Sequence, residues 1–221
     1  MNIQTTARSN MIEQQVRPWD VLDQRVLDIL AEVPRVAFLK EQYQGIAYSD
    51  FQIPIGFGQT MLKPTLDGRL LQSLLLQVTD QVLEIGTGSG YLTTCLARLS
   101  AHVDSVEIIP ELATQSSSTL QSMGISNVSI KQQDASKEWD ARDGYDAIAF
   151  SGAVPAIPDY YLGKLNTGGR LFAILGEVSS PTMEAVLVTR IRESEWSTES
   201  LFEIHIDPLV NFDSESPSFT F

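Results

Sequence analysis

Alternation of short apolar segments with helical segments, which begins at Asp80, constrains the fold of this chain more than any other feature. Short apolar strands are predicted over residues 81–85, 103–108, 128–131, 145–150 and 169–175. Helical spacing of apolar residues is predicted between them, over residues 89–99 and 110–123. Strands that alternate with helices indicate a mostly parallel sheet with helices on both faces. The sequence therefore predicts an α/β fold.

The two ends of the chain have different patterns. The first 50 residues have helical apolar spacing, and Pro18 predicts a break near residues 17–20 because proline disrupts a helix interior. Two glycines and a proline in residues 51–63 predict an irregular loop. Residues 184–191 and 199–206 alternate apolar and polar side chains, which predicts an antiparallel pair. We expect a helical appendage with a substrate loop over residues 1–63 and a core domain over residues 64–221, folded as one compact unit.

Composition narrows the possible partners. The 221 residues are 43% hydrophobic and 19% charged, which is typical of a folded protein with a substantial core. The formal net charge of −13 argues against a nucleic-acid binder, because phosphate backbones repel an acidic surface. The single cysteine, Cys95, excludes an internal disulfide, and so few cysteines and histidines argue against a zinc site. No apolar run approaches the ~20 residues that span a bilayer, so we expect a cytoplasmic protein whose partners are neither nucleic acid nor membrane.

A glycine-rich turn joins the first strand of this alternating region to the helix that follows. Gly86, Gly88 and Gly90 stand at alternate positions, and glycines let a backbone adopt unusual angles and approach a ligand closely. A tight turn without a ligand is an alternative, which three glycines at alternate positions disfavour. A dinucleotide site favours the spacing G-x-G-x-x-G, which differs from the order here. The turn, with Glu84 inside the preceding strand, resembles motif I of S-adenosylmethionine-dependent methyltransferases.

Two carboxylates at the ends of later strands support a cofactor site. Glu107 ends the second predicted strand, where it can accept hydrogen bonds from ribose hydroxyls, and Asp134 follows the third, where it can accept one from an adenine amino group. Ligands of such sheets bind at the carboxyl ends of the strands, which is where both residues lie. The predicted residues for binding S-adenosylmethionine are Glu84, Gly86, Thr87, Gly88, Ser89, Gly90, Glu107, Asp134 and Ser151.

A more specific resemblance comes from short motifs spread over residues 33–175. They are Val33-Pro34-Arg35, Ala47-Tyr48-Ser49-Asp50, Ile53-Pro54-Ile55-Gly56-Phe57-Gly58-Gln59-Thr60, Tyr145-Asp146-Ala147-Ile148, Ile157-Pro158 and Gly168-Gly169-Arg170-Leu171. With them the chain resembles the protein-L-isoaspartate O-methyltransferase family. The resemblance implies a Rossmann-like methyltransferase fold, with a mostly parallel seven-stranded sheet, C-terminal antiparallel strands and an N-terminal helical subdomain. It also implies a monomer.

The same resemblance implies an activity. Members of the family methylate the carboxylate of isoaspartyl residues in damaged proteins, with S-adenosylmethionine as donor and S-adenosylhomocysteine as product. It implies Asp50, Gln59 and Thr60 as the candidate catalytic residues, in the loop that receives isoaspartyl peptides or proteins. A carboxylate is already ionised at neutral pH and needs no general base, so the main task of the enzyme is to align oxygen, carbon and sulfur.

Two positions depart from the family pattern. Leu62 stands where the family has a serine whose hydroxyl lies near the site of methyl transfer, and Asp207 stands where the family usually has an apolar residue. Loss of the serine removes a hydrogen-bond donor that could orient a carboxylate. We hypothesise that cofactor binding is retained while isoaspartyl methylation is weakened or redirected. Two alternatives stay open: a methyltransferase of the same fold acting on another carboxylate or a small molecule, and a non-catalytic relative that binds the cofactor.

Overall fold

The computed structural model describes residues 3–177 and 179–212. Within them the α-helices are α1 (Ile3–Met11), α2 (Gln24–Glu32), α3 (Pro64–Leu74), α4 (Tyr91–Leu99), α5 (Pro110–Ser122) and α6 (Asp159–Lys164). The strands are β1 (Ile53–Gly56), β2 (Gln59–Met61), β3 (Gln81–Ile85), β4 (His102–Glu107), β5 (Val128–Gln132), β6 (Tyr145–Val154), β7 (Leu165–Leu175), β8 (Met183–Arg192) and β9 (Glu195–Ile204). Residues 213–221, the end of the predicted core domain, lie outside the described residues.

Strands β3 to β9 form one seven-stranded sheet in the order β5-β4-β3-β6-β7-β8-β9. Strands β5, β4, β3, β6 and β7 run parallel to one another. Strand β8 runs antiparallel to both β7 and β9. The predicted sheet, mostly parallel with a terminal antiparallel pair, is confirmed. The chain order reverses between β3 and β6, and such a switch point opens a crevice at the carboxyl ends of the strands.

Burial on both faces explains why the central strands are so apolar. In β3, the side chains of Val82, Leu83 and Ile85 are at most 1% exposed. Strands of parallel sheets read as continuous apolar runs because helices cover both faces of the sheet. Glu84 interrupts this run and is itself fully buried. The packed centre holds in place the loops that follow β3, β4 and β6.

The N-terminal helices pack onto the same hydrophobic core as the sheet. Helix α1 continues through a π-helical turn (Ile12–Val16) and a 3-10 turn (Arg17–Trp19), and the helical path stops at Asp20, whose φ of 57° is left-handed. The predicted break near residues 17–20 is confirmed. A new helix, α2, then begins after Asp23, whose side chain accepts a hydrogen bond from the backbone N–H of Arg25. One hydrophobic cluster contains residues from both α1 and the sheet.

Residues 51–63 contain a short antiparallel hairpin, so the prediction of an irregular loop was wrong. Strand β1 pairs with β2, and Ile53 lies opposite Met61. The two tip residues, Phe57 and Gly58, have left-handed φ values of 55° and 73°. Two such residues form the kind of turn whose twist matches that of the flanking strands. The glycine that suggested irregularity serves the hairpin turn instead.

The chain returns to the centre of the sheet after β9. This strand ends at Ile204, two residues before the predicted end at 206. The backbone N–H of Ala153 donates to the carbonyl oxygen of Asp207 (3.0 Å), and the N–H of Leu209 donates to the carbonyl oxygen of Ala153 (2.9 Å). These two bonds hold residues 207–209 beside the end of β6.

None of the helices in the described part of the chain is long and apolar enough to cross a membrane. Across residues 3–177 and 179–212, no three His, Cys, Asp or Glu side chains gather as candidate metal ligands.

Candidate active site

A cavity lies at the carboxyl ends of β3, β4 and β6. Its lining comes from the β1–β2 hairpin, the glycine-rich turn, the ends of these strands and the segment after β9. The lining residues include Gln52, Gln59, Thr60, Leu62, Gly86, Gly88, Glu107, Leu112, Gln133, Ala135, Ser151, Asp207, Leu209 and Phe212. The lining therefore contains two carboxylates, and it contains no Lys or Arg among the described residues.

The backbone of the glycine-rich turn forms one wall of the cavity. Gly86 and Gly88 have φ values of 94° and 54°, which side-chain-bearing residues rarely adopt. A Cβ atom on Gly86 would overlap Ser151 Oγ and would lie 2.9 Å from Leu209 Cδ2. Ser151 Oγ donates to the carbonyl oxygens of Ile85 (2.9 Å) and Gly86 (2.6 Å), which locks the turn against β6. The turn thus forms a cradle that only glycine can complete.

Glu107 presents a carboxylate to the same cavity from the end of β4. Its Oε2 accepts a hydrogen bond from the N–H of Gly88 (2.8 Å), and its Oε1 accepts one from the N–H of Ile109 (2.9 Å). The side chain is 5% exposed. Each carboxylate oxygen has a second lone pair, so a fixed Glu107 can still accept hydrogen bonds from two hydroxyls of a ligand.

Thr87 and Ser89 line a smaller cavity that adjoins the first. This second cavity shares Thr60, Leu62, Gly86, Gly88 and Ser151 with the larger one. Six of the predicted site residues thus line the main cavity and two more line its neighbour. The six are Gln59, Thr60, Gly86, Gly88, Glu107 and Ser151.

Glu84 supports the glycine-rich turn from below instead of lining the cavity. Its Oε2 accepts hydrogen bonds from Thr93 Oγ1 (2.5 Å) and Ser105 Oγ (2.6 Å), and Ser105 in turn contacts Thr87 Oγ1 at 2.6 Å. Its Oε1 has no hydrogen-bond partner among the described residues. Burial raises the pKa of Glu84 to about 8, although the two hydroxyls favour the ionised form. Near neutral pH the group is therefore mostly protonated.

Gly90 also lies outside the cavity lining and serves helix packing. Its φ is 84°, and a Cβ there would lie 2.7 Å from Leu120 Cδ1 and 3.1 Å from Ser116 Cβ, both on α5. The third glycine of the turn therefore lets α4 and α5 approach each other closely. This is the packing role that a glycine at this point has in dinucleotide-binding turns.

Asp134 does not line the cavity, although its neighbours Gln133 and Ala135 do. Its Oδ1 accepts hydrogen bonds from the backbone N–H (3.0 Å) and Oγ (2.6 Å) of Ser136, and its Oδ2 accepts one from Asn211 Nδ2 (3.0 Å). Burial raises the pKa of Asp134, but these hydrogen bonds outweigh burial and lower the pKa overall. The carboxylate ties the segment after β5 to the segment after β9.

Asp50 also lies away from the cavity, at the start of α3. Its Oδ1 accepts a hydrogen bond from Thr65 Oγ1 (2.7 Å). Thr65 is the second residue of α3, so this bond fixes the path of the chain between the hairpin and the helix. Asp50 is therefore not part of the cavity lining, unlike Gln59 and Thr60, with which the family pattern grouped it.

Thr60, Gln52 and Asp207 form a polar cluster at one end of the cavity, which we call the acceptor end. Thr60 Oγ1 donates to Asp207 Oδ2 (2.8 Å). Gln52 Nε2 donates to Thr60 Oγ1 (2.9 Å) and to Asp207 Oδ2 (3.2 Å). Leu62, 8% exposed, adds an apolar wall to the same cavity. Gln52 and Asp207 were not among the predicted site residues, and the only signal was the departure at Asp207 from the family pattern.

A buried ion pair, also missed from the sequence, fixes the backbone of Leu62. Arg35 is fully buried and donates to Asp67 Oδ2 (2.5 Å), to the carbonyl oxygen of Leu62 (2.6 Å) and to that of Ala47 (2.9 Å). Its guanidinium carbon also lies 4.6 Å from the centre of the Tyr91 ring. Burial raises the pKa of Asp67 to about 6, which leaves the pair mostly ionised at neutral pH.

Comparisons with known proteins agree with this arrangement. The model of the family Protein-L-isoaspartate(D-aspartate) O-methyltransferase (PCMT) matches residues 6–212. Proteins named protein-L-isoaspartate O-methyltransferase from Rhodopseudomonas palustris and Syntrophotalea carbinolica are 36% and 38% identical over 200 and 204 residues. These matches cover 90% and 92% of this chain and 91% and 93% of the two relatives.

A solved structure shares the fold over nearly the whole chain. It is a protein-L-isoaspartate O-methyltransferase structure from Plasmodium falciparum in complex with S-adenosyl-L-homocysteine, and it superposes with a TM-score of 0.77 at 21% identity. The match covers 95% of this chain and 99% of the other. The predicted methyltransferase fold is thereby confirmed. The chain belongs to the protein-L-isoaspartate(D-aspartate) O-methyltransferase family and is an S-adenosylmethionine-dependent methyltransferase.

Proposed function

We propose that this chain methylates the carboxylate of isoaspartyl residues in peptides and proteins, and that the reaction takes place in the cavity at the carboxyl ends of β3, β4 and β6. One observation carries the proposal. The glycine cradle with Glu107 and the acceptor end with Thr60 line one continuous space, so a methyl donor held by the first would face an acceptor held by the second. Membership of the family supports the choice of an isoaspartyl acceptor.

The residues of the cavity fit S-adenosylmethionine. When bound, this cofactor supplies an electrophilic methyl group on a positively charged sulfur. Glu107 would accept hydrogen bonds from the ribose hydroxyls, because both of its oxygens keep a free lone pair. Gly86 and Gly88 line the cavity without side chains and would let the backbone approach the ligand. Gln133 and Ala135 would flank the base, with Asp134 anchoring that segment through its bonds to Ser136 and Asn211.

Thr60, Gln59 and Gln52 would orient the acceptor. All three line the cavity. Gln59 Nε2 makes one bond, to the carbonyl oxygen of Phe57, and so has an N–H left for the acceptor. Thr60 and Gln52 would turn their donors from Asp207 Oδ2 to the acceptor carboxylate. Because the acceptor carboxylate is ionised at neutral pH, these side chains have no proton to remove, and their contribution is to hold one oxygen in line with the methyl group. Leu62 and Leu209 would limit the access of water. Asp50 would act only through its hold on Thr65 at the start of α3.

A matched pair of peptides tests the proposal. The protein is incubated with labelled S-adenosylmethionine and a peptide containing one isoaspartate, or the same peptide with ordinary aspartate. We expect base-labile methyl esters on the isoaspartyl peptide alone. Equal labelling of the two peptides, or no labelling of either while the protein binds S-adenosylhomocysteine, would show that the acceptor is a different one.

A pair of threonine variants then tests the site. Thr60→Val removes the hydroxyl at the acceptor end, whereas Thr198→Val makes the same change at an exposed position on β9. We expect Thr60→Val to lower kcat/KM by about tenfold, the worth of one hydrogen bond to a charged group. Thr198→Val should leave it unchanged. An equal effect of the two substitutions would refute the role of Thr60.

We also propose that the protein acts as a monomer, with residues 1–63 carrying the acceptor hairpin and residues 64–221 carrying the cofactor site. All the described groups that would bind cofactor and acceptor come from one chain. Light scattering during size-exclusion chromatography should give the mass of one chain, 24.4 kDa. A stable dimer mass would contradict the proposal.

A further inference from the structure

The acceptor end carries a negative charge that an anionic acceptor must face. Asp207 contributes this charge, and Glu107 contributes a second one farther along the same cavity. No Lys or Arg among the described residues lines the cavity to offset them. Even with the positive sulfur of the cofactor in place, an acceptor carboxylate would be the third anion in this space. Asp207 is exposed, so solvent weakens the repulsion between like charges without removing it, and a compensating charge on the acceptor favours its binding.

The carboxylate of Asp207 is held firmly in this position. The carbonyl oxygen of Asp207 accepts from the N–H of Ala153 (3.0 Å), and two positions later the N–H of Leu209 donates back to Ala153 (2.9 Å). On the side chain, Oδ2 accepts from Thr60 Oγ1 and Gln52 Nε2. From the described residues, Oδ1 accepts no hydrogen bond. Asp207 therefore offers a fixed, charged and unused acceptor atom within the bond network of Thr60.

We propose that Asp207 determines acceptor specificity by binding a positively charged nitrogen next to the carboxylate that is methylated, so that the preferred acceptor is an isoaspartate at the N terminus of a peptide. This inference rests on the isoaspartyl activity proposed above. In an isoaspartyl residue the free carboxylate and the α-nitrogen are attached to the same carbon atom. At the N terminus that nitrogen is an ammonium group, whose ordinary pKa near 7.7–8.0 keeps it mostly charged at pH 7.

The geometry of the acceptor end suits this pair of groups. Thr60 Oγ1 and Asp207 Oδ2 are 2.8 Å apart, so an α-nitrogen bound to Asp207 brings the carboxylate on the same carbon atom close to Thr60, whose hydroxyl can then turn from Asp207 to that carboxylate. The ammonium group makes the acceptor neutral overall and donates a charge-assisted hydrogen bond to Oδ1. Within a peptide chain the same nitrogen belongs to an amide, which keeps one N–H donor but no charge. Asp207 therefore favours the N-terminal acceptor over the internal one.

Two peptides that differ only in an N-terminal acetyl group test this inference. Both begin with isoaspartate, and kcat/KM is measured for each near pH 7 with the natural protein, Asp207→Asn and Glu199→Gln. The asparagine keeps the size of the side chain and removes its charge. Glu199→Gln is the matched control, because it removes one exposed carboxylate on β9 that does not line the cavity. Affinity for S-adenosylhomocysteine, measured by calorimetry, reports the integrity of the cofactor site.

For the natural protein and the control, we expect the free-amine peptide to have the higher kcat/KM by about tenfold or more. For Asp207→Asn, this ratio should fall to within about twofold of unity with S-adenosylhomocysteine affinity unchanged. The inference is overturned if the ratio is near unity in the natural protein, or if Asp207→Asn keeps the ratio of the natural protein. In either case, methylation of both peptides still supports the isoaspartyl activity. Methylation of neither peptide overturns this inference alone if a peptide with an internal isoaspartate is still methylated, and overturns the isoaspartyl activity as well if it is not. If Asp207→Asn fails to fold, a ratio near unity in the natural protein still overturns the inference.

Discussion

Protonation of Glu84 beneath the glycine-rich turn makes the stability of the protein depend on pH in a way that one substitution should abolish. The pKa of this carboxyl is about 8 in the folded chain, against an ordinary value of 4.5. Between these two values the folded state holds a proton that the unfolded state has released. The free energy of unfolding therefore decreases as pH rises through this window, by at most ~1.4 kcal/mol per pH unit for this one group.

Glu84→Gln replaces the protonated acid by a neutral group of the same shape. The glutamine oxygen can accept the hydrogen bonds of Thr93 and Ser105, which now go to Glu84 Oε2. Its amide nitrogen takes the place of Oε1, which already has no partner. The variant no longer has to take up a proton on folding, so its stability relative to the natural protein should increase by about 2 kcal/mol between pH 6 and pH 7.5.

Urea unfolding of both proteins at these two pH values measures this change, and the comparison between them removes the contributions of all other titrating groups. Glu199→Gln, at an exposed position on β9, is the control and should show no such change. If the stability difference between Glu84→Gln and the natural protein is the same at both pH values, Glu84 is ionised in the folded state and the argument from burial is wrong.

Three further substitutions test the architecture of the site. Leu62→Ser should raise kcat/KM for an isoaspartyl peptide by about tenfold through a new hydrogen bond, while Leu62→Ala gives no gain; equal rates for the two variants would contradict the hypothesis that Leu62 weakens the activity. Gly86→Ala should reduce the affinity for S-adenosylhomocysteine by at least about tenfold in calorimetry, because the new methyl group is strained and overlaps Ser151. Gly124→Ala is the control and should leave this affinity unchanged, because Gly124 also has a left-handed φ but a Cβ there meets no atom within 4 Å. Arg35→Met should lower the free energy of unfolding by about 3–5 kcal/mol in urea, because it leaves Asp67 buried without its partner; a loss below about 1 kcal/mol would show that the buried pair contributes little.

The fold and the cofactor side of the site could be predicted because their signals are local in the sequence. The glycine-rich turn and Glu107 lie within 22 consecutive residues, 86–107, at the ends of two neighbouring strands. Alternation of strands and helices then fixes which edge of the sheet they share. The hairpin at residues 53–61 was missed because its signal, glycine beside an aromatic residue, is also typical of irregular loops.

The acceptor end could not be predicted in the same way. Thr60 and Asp207 are separated by 147 positions, and their hydrogen bond depends on how the segment after β9 crosses the end of β6. Asp50 and Asp134 were predicted as site residues but do not line the cavity. Both match the family pattern, yet the structure directs their carboxylates to Thr65 and to Ser136 and Asn211. A motif identifies a position along the chain, whereas the direction of a side chain depends on neighbours that the motif does not contain.

The hydrogen bonds between Ala153 and residues 207–209 make the cavity depend on a segment that is synthesised more than 50 residues after the strand it contacts. Asp207 and Leu209 both line the cavity, and Asn211 holds Asp134 beside it, so this segment completes the cofactor side as well as the acceptor end. A chain whose synthesis has not passed these residues therefore lacks part of both.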